Sequence, residues 1–324
     1  VKTKTAFITG ISGQDGSLLA KFLLNKEYQV YGLMKEKSLK DNLKDIFHHP
    51  DLHIIYGDLL NSDLLRLILE TNKFDEIYNL ASQSNIRLSY DDPLLTFNVT
   101  LIGTLSLLEN IKKYSPNSKV FQAGSSAMFG NSIDKDGFQR ETTPFIPISP
   151  YASSKLFAYN ICNNYKENNN LFISNGILYN HESIKNKTLL GLINTIAKKA
   201  VLIANGDIPE YYIPNLKINI DWGHADDYIE AMWLILQQPI ANNYIIASGG
   251  THNIEYVCDY IFSSLGLDYK LYIKTEFDTI ESSKLKGDPS VLRSIGWKPK
   301  YTFNTMLDEI INYWIKKIKN KAII

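Results

Sequence analysis

The stretch Thr5-Ala6-Phe7-Ile8-Thr9-Gly10-Ile11-Ser12-Gly13-Gln14-Asp15-Gly16 decides how the rest of the chain is read. Its first five residues are apolar or β-branched and predict a strand. Glycines then recur as Gly-x-x-Gly-x-x-Gly at Gly10, Gly13 and Gly16, and a helical apolar pattern follows over 16–24. Glycines in this setting let the backbone turn tightly and approach a pyrophosphate. The helix N-terminus that follows offers free N–H groups and the positive end of its dipole. Further short apolar runs at 29–33, 53–56, 76–80 and 119–123 alternate with helical patterns at 62–70 and 96–113. A helix at 152–168 leads into another run at 172–178.

Alternation of this kind, with strands apolar on both faces, predicts an α/β protein built on a doubly wound parallel sheet of the Rossmann type. After Asn180 the rhythm changes. Helical patterns at 188–202, 226–237 and 254–265 surround a loop at 205–219 and a short strand at 243–247. The chain closes on an amphipathic helix at 303–319, with Leu307, Ile310, Ile311 and Trp314 as its apolar stripe and Lys316, Lys317 and Lys319 as a solvated face. The expected organisation is a dinucleotide-binding domain over 1–180, with returning segments near 215–250, and a smaller α/β substrate lobe over 181–324. The substrate is expected in the cleft between them.

A chain of 324 residues suits two domains, at about 100–200 residues each. The 34 basic and 34 acidic residues cancel, which argues against a nucleic-acid footprint. Cys162 and Cys258 lie in apolar helical stretches without metal-ligand spacing, so neither a disulfide framework nor a metal site is expected, and a reducing compartment is. The N-terminus shows no signal-peptide core, and no apolar run approaches the ~20 residues of a membrane span. A cytoplasmic protein is expected. The glycosylation-type triplets Asn98-Val99-Thr100 and Asn186-Lys187-Thr188 read as chance, and His48-His49 as surface.

Past the second strand comes Lys35-Glu36-Lys37. A carboxylate at Glu36 accepts from the ribose hydroxyls of NAD and repels a 2′-phosphate, whereas Lys35 and Lys37 would welcome one. NAD is expected ahead of NADP. Asp58, after the third strand, is placed for the adenine edge or for capping the next helix, and these roles are compatible.

Ser149-Pro150-Tyr151-Ala152-Ser153-Ser154-Lys155 opens a helix, and Ser125-Ser126 ends the fifth strand. Positions i and i+4 share a helix face, so Tyr151 and Lys155 point the same way. A tyrosine titrates near ~10, but a neighbouring ammonium and a cationic nicotinamide favour its phenolate. Tyr151 then takes a proton from a sugar hydroxyl while hydride leaves for the cofactor, Ser125 holds that hydroxyl, and Lys155 also holds the nicotinamide ribose.

These elements resemble the extended short-chain dehydrogenase/reductase superfamily. Within it, the glycine loop Gly10–Gly16, the string Asn175-Gly176-Ile177-Leu178-Tyr179-Asn180-His181-Glu182-Ser183 and Asp221-Trp222-Gly223-His224-Ala225 resemble the GDP-mannose 4,6-dehydratases. So do Glu230-Ala231-Met232-Trp233 and Gly296-Trp297-Lys298-Pro299. The resemblance implies cofactor contacts from Gln14, Asp15, Asp58, Leu80 and His181, with Leu59, Ala81 and Ser82 beside them. It implies substrate contacts from Ser84, Ser125, Ser126 and Asn180. It also implies a homodimer through the helices at 96–113 and 152–168. Neither His181 nor His224 has a partner at ligand spacing, and His224 reads as structural.

The sequence departs from that family at telling places. The dehydratases carry Thr-Ser-Glu after the fifth strand; here it is Ser125-Ser126-Ala127. The family's glutamate removes the C5 proton once C4 is a ketone and helps expel water from C6. Ala127 can do neither, so the expected product is a 4-keto sugar nucleotide that keeps its C6 hydroxyl. This pattern is similar to the GDP-D-glycero-D-manno-heptose 4-dehydrogenases, which oxidise C4 without dehydrating. NADH then needs a keto co-substrate to reoxidise it. Rivals are a 4,6-dehydratase, a C4 epimerase and a catalytically dead sugar-nucleotide sensor, against which the intact Ser125, Tyr151 and Lys155 argue. Family cations are also replaced, at Leu192-Ile193-Asn194, Ile220 and Asp278-Thr279-Ile280-Glu281, leaving Lys217, Arg293 and Lys298 as candidates to meet a diphosphate. The family's Arg-Arg-Gly becomes Lys185-Asn186-Lys187, which weakens NADP and tetramer assignments.

Overall fold

Residues Thr5–Thr9 form β1, and six further runs join it in one sheet: β2 (Gln29–Met34), β3 (Leu52–Tyr56), β4 (Glu76–Asn79), β5 (Lys119–Ala123), β6 (Ile173–Leu178) and β7 (Tyr244–Ile246). The computed structural model describes residues 3–38, 40–185, 191–276 and 285–319. The strand order is β7-β6-β5-β4-β1-β2-β3, parallel throughout. The doubly wound parallel sheet is therefore present as read from the sequence.

Alternation along β1 shows why both faces are covered. Ala6 and Ile8 belong to one apolar core and Phe7 to another. On the first face lie α1 (Gln14–Leu24) and, from much later in the chain, a helix at Ala225–Gln237. The second face is covered by α2 (Ser62–Thr71), α3 (Pro93–Tyr114, with a π-helical turn at Asn98–Ile102) and α4 (Pro150–Asn169). A third core gathers α5 (Leu192–Ala204), α7 (Ile254–Ser264) and α8 (Phe303–Lys319) around Trp222, with the helix Ala225–Gln237 counted as α6. The α8 stripe Leu307, Ile310, Ile311 and Trp314 is buried, as its periodicity predicts.

Two details correct the sequence reading. The 22-residue α3 is long and apolar enough to cross a bilayer by composition, although nearly half of its most apolar window is buried and it packs against α2 and α4. Polar residues between its leucines broke up the run in the sequence. Short strands not expected from the sequence also form. Asn180–Glu182 pairs in parallel with Trp222–His224, tying the end of β6 to the start of α6.

The sheet order reverses between β1 and β4, so a crevice opens beyond their carboxyl ends. Thr9 holds it open. Its hydroxyl donates to Asn79 Oδ1 at 2.7 Å and accepts from the backbone N–H of Leu80 and Ala81.

Candidate active site

The crevice is a cleft of about 870 Å³. Gly10, Gly13 and Gly16 form one wall. Gly10 has φ +72°, and a Cβ there would lie 2.9 Å from the Ala81 backbone; one on Gly16 would lie 2.4 Å from the Gly10 carbonyl oxygen. Gly13 caps α1 without a side-chain acceptor, so the helix N-terminus is left to meet an anion. This cradle fits the pyrophosphate of a nicotinamide dinucleotide.

At the end beside β2 and β3 the cleft is lined by Lys35, Ser38, Asp58 and Leu59. Glu36, expected to meet the ribose, does not line it and is exposed. Past β2, Lys35 pairs with Asp58 beyond the neighbouring β3 (Nζ to Oδ2, 2.9 Å), while Glu36 and Lys37 are exposed and do not line the cleft. Burial resists ionisation of Asp58, but bonds from Lys35 and the Leu60 N–H outweigh it and hold the carboxyl below its ordinary range. The α2 cap is Asn61, not Asp58.

At the other end, Ser149 caps α4 by accepting from the Ala152 N–H, and Pro150 opens its first turn. Tyr151 thus stands in that turn and Lys155 one turn on. Lys155 Nζ donates to the Ala123 carbonyl oxygen at 3.0 Å and lies 5.9 Å from the centre of the Tyr151 ring. Ser125, the first residue past Gly124 at the end of β5, lines the cleft with Tyr151 and accepts from the Ala127 N–H at 3.2 Å. Burial raises the Tyr151 phenol, against the pull of Ser125, and lowers the Lys155 ammonium to about 8 against the pull of Asp15. The structure brings Ser125, Tyr151 and Lys155 together on the cleft, with Ser126 beside them.

Between these ends, Gln14, Asp15, Leu80, Ala81, Ser82, Ser84, Asn180 and His181 all line the cleft. Lys217 does not: its ammonium is drawn to Glu255 Oε2 at 2.6 Å in the C-terminal half, so it is withdrawn from the substrate set. Arg293 and Lys298 do not line it either. Asn186, Lys187 and residues 278–281 fall outside the described residues, as does the 188–190 part of the expected helix at 188–202. His224 is structural: it caps α6 through Asp226, bonds Glu309 at 2.6 Å and stacks on Tyr301. Gln83, Asn85 and Tyr179 line the cleft and were missed. The signal available for the first two was the polar run that follows the carboxyl end of β4.

The family model of GDP-mannose 4,6 dehydratase matches residues 7–310. GDP-mannose 4,6 dehydratase 2 of Arabidopsis thaliana is 38% identical over 338 residues, covering 99% of this chain and 89% of that protein. GDP-mannose 4,6-dehydratase of Vibrio cholerae serotype O1 is 34% identical over 361 residues, covering 99% and 96%. Among solved structures, dTDP-glucose 4,6-dehydratase of Bacillus anthracis in complex with NAD superposes with a TM-score of 0.84 at 23% identity, covering 98% of each chain. UDP-glucose 4-epimerase of Thermotoga maritima does so at 0.85 and 18%, covering 97% and 99%. The two structures share the fold. With a family match over nearly its whole length, and the glycine cradle and Ser125-Tyr151-Lys155 set on one cleft, this chain belongs to the GDP-mannose 4,6-dehydratase family of nucleotide-sugar short-chain dehydrogenase/reductase enzymes.

Proposed function

We propose that this enzyme oxidises C4 of a GDP-linked manno-configured sugar, GDP-D-glycero-D-manno-heptose in the first instance, to the 4-keto sugar nucleotide, and stops without removing water. NAD, when bound, accepts the C4 hydride. Tyr151 takes the C4 hydroxyl proton, Ser125 orients that hydroxyl, and the Lys155 ammonium holds the ribose and, with the charge of a bound nicotinamide, offsets the burial that raises the Tyr151 phenol. Cofactor contacts come from the 1–180 half and from His181, and sugar contacts from Ser84, Ser126 and Asn180.

The observation that carries this reading is Ala127. Elimination across C5 and C6 needs a base for the C5 proton, and a methyl group has no acid–base chemistry. Among the described residues, the carboxylates lining the cleft are Asp15 and Asp58, and each is already paired, to His181 and to Lys35, at 2.9 Å. Without elimination the C4 ketone would be the sugar's sole hydride acceptor, and returning hydride there only undoes the oxidation, so net turnover would call for a separate carbonyl co-substrate that takes the hydride as it is reduced to an alcohol. NAD is preferred to NADP because the Lys35 charge is committed to Asp58 rather than free for a 2′-phosphate. The family match supports a second reading, GDP-mannose-type 4,6-dehydration by a base elsewhere. Incubation with GDP-mannose or GDP-heptose and NAD, followed by mass spectrometry, separates them. The proposal expects a sugar nucleotide lighter by two hydrogens with NADH formed in equal amount. Loss of one water would establish dehydration, and an unchanged mass with inverted C4 would establish epimerisation.

A further inference from the structure

Thr9, Asn79 and Gln122 are buried polar residues at the ends of the adjacent strands β1, β4 and β5. Thr9 pairs with Asn79 in the sheet register, and Asn79 with Gln122, so the three side chains form a row on one face. Their donors and acceptors allow one orientation. The Thr9 hydroxyl already accepts from the Leu80 and Ala81 N–H groups, so its single proton goes to Asn79 Oδ1. Asn79 must then turn its amino group the other way. Its Nδ2 donates to Gln122 Oε1 at 2.7 Å and to Thr104 Oγ1 at 3.1 Å. With Oε1 so engaged, Gln122 presents Nε2 to the Ala123 carbonyl oxygen at 3.2 Å. That oxygen also receives Lys155 Nζ at 3.0 Å.

The Ala123 carbonyl is open to side chains because the β4–β5 pairing has ended. The last pair is Asn79 with Gln122, and the next two amides of that chain are turned to Thr9 instead. The same peptide unit is held from its other side, where the Gly124 N–H donates to the Gly176 carbonyl oxygen of β6 at 2.8 Å. In a trans peptide the N–H and the C=O point opposite ways, so the Ala123 carbonyl faces away from β6. Lys155, buried on α4, meets it there.

We propose that Gln122, oriented by Asn79 and Thr9, is a positioning residue for Lys155. It steadies the Ala123 carbonyl, which anchors one of the three ammonium N–H bonds and leaves the other two for the nicotinamide ribose. This rests on the reading of Lys155 as a ribose-holding residue.

The test is a double-mutant cycle on NADH affinity, read by nucleotide fluorescence without any sugar. Lys155→Met is expected to weaken binding by about 10–100-fold and Gln122→Met by about 3–10-fold. With Lys155→Met already present, Gln122→Met is expected to add less than about twofold, because its effect passes through the ammonium. Thr9→Val, at the far end of the row, gives the same cycle through a second variant, and Thr9→Ser, which keeps the hydroxyl, returns wild-type affinity. Where Lys155→Met weakens binding, equal losses from Gln122→Met in both backgrounds, as a general loosening of the sheet would give, would overturn the proposal; so would no loss at all. If Lys155→Met leaves NADH affinity unchanged, the ribose reading fails, and a crystal structure of Gln122→Met decides the positioning role. Nζ drawn off the Ala123 carbonyl upholds it, and Nζ seated on an unmoved carbonyl overturns it.

Discussion

In the proposed reaction two single positions matter most. Tyr151→Phe removes the proton acceptor while keeping the ring, and NAD-linked sugar oxidation is expected to fall by about 10²–10⁴-fold with NADH binding retained; stopped assays of NADH formation check it. Ala127→Glu returns a carboxylate to the turn after β5. Part of the product is then expected to lose one water, seen as a second mass in the same assay. At the end of the cleft proposed to hold the adenosine, Asp58→Asn leaves Lys35 without its anion. The expected outcome is a rise of about tenfold in the ratio of NADP to NAD utilisation, measured as kcat/KM with each cofactor. No rise would show that Lys35 does not reach the 2′ position. Glu36 marks the limit of residue-by-residue reading here. Its type suited the ribose, but which of three consecutive charged residues faces inward depends on how the chain leaves β2 and on where Asp58 stands.

At the scale of elements, the β1–α1 junction works by close approach rather than by side chains. Gly16→Ala would push a methyl group into the Gly10 carbonyl, and backbone cannot swing aside as a side chain can. A cost of about 1–3 kcal/mol in stability is expected, with dinucleotide binding lost along with it. Gly137→Ala is the contrast: its φ is +87° but nothing lies within 4 Å of a new Cβ. It is expected to cost about 1 kcal/mol by backbone strain alone and to leave NADH affinity unchanged; thermal melts and nucleotide titrations of the two variants check the difference. This junction was legible in the sequence because strand, glycines and helix are contiguous. The pairing of Asn180–Glu182 with Trp222–His224 was not, since it joins segments some 40 residues apart and neither is long enough to show strand periodicity.

For the whole molecule, α3 and α4 present Leu94 (73% exposed), Ile102 (45%) and Phe157 (39%) to solvent. We propose that these exposed apolar side chains on adjacent helices belong to an association surface. A homodimer through this face is the expected state, with Leu94→Glu shifting the sedimentation profile toward monomer while the sheet core, which it does not touch, keeps its thermal stability within about 0.5 kcal/mol. An unchanged dimer would place the interface elsewhere.

What the sequence by itself determined was local: the βα glycine turn, the Tyr151/Lys155 spacing on one helix face, the strand-end Ser125 and the alanine that follows it. Each is a statement about neighbours along the chain, where spacing and residue type suffice. The tertiary structure alone decided which charges meet. Lys35 went to Asp58, Lys217 to Glu255 and His181 to Asp15, across 23, 38 and 166 positions of sequence. Ion pairs are chosen by distance and burial after folding, and a linear pattern carries neither quantity.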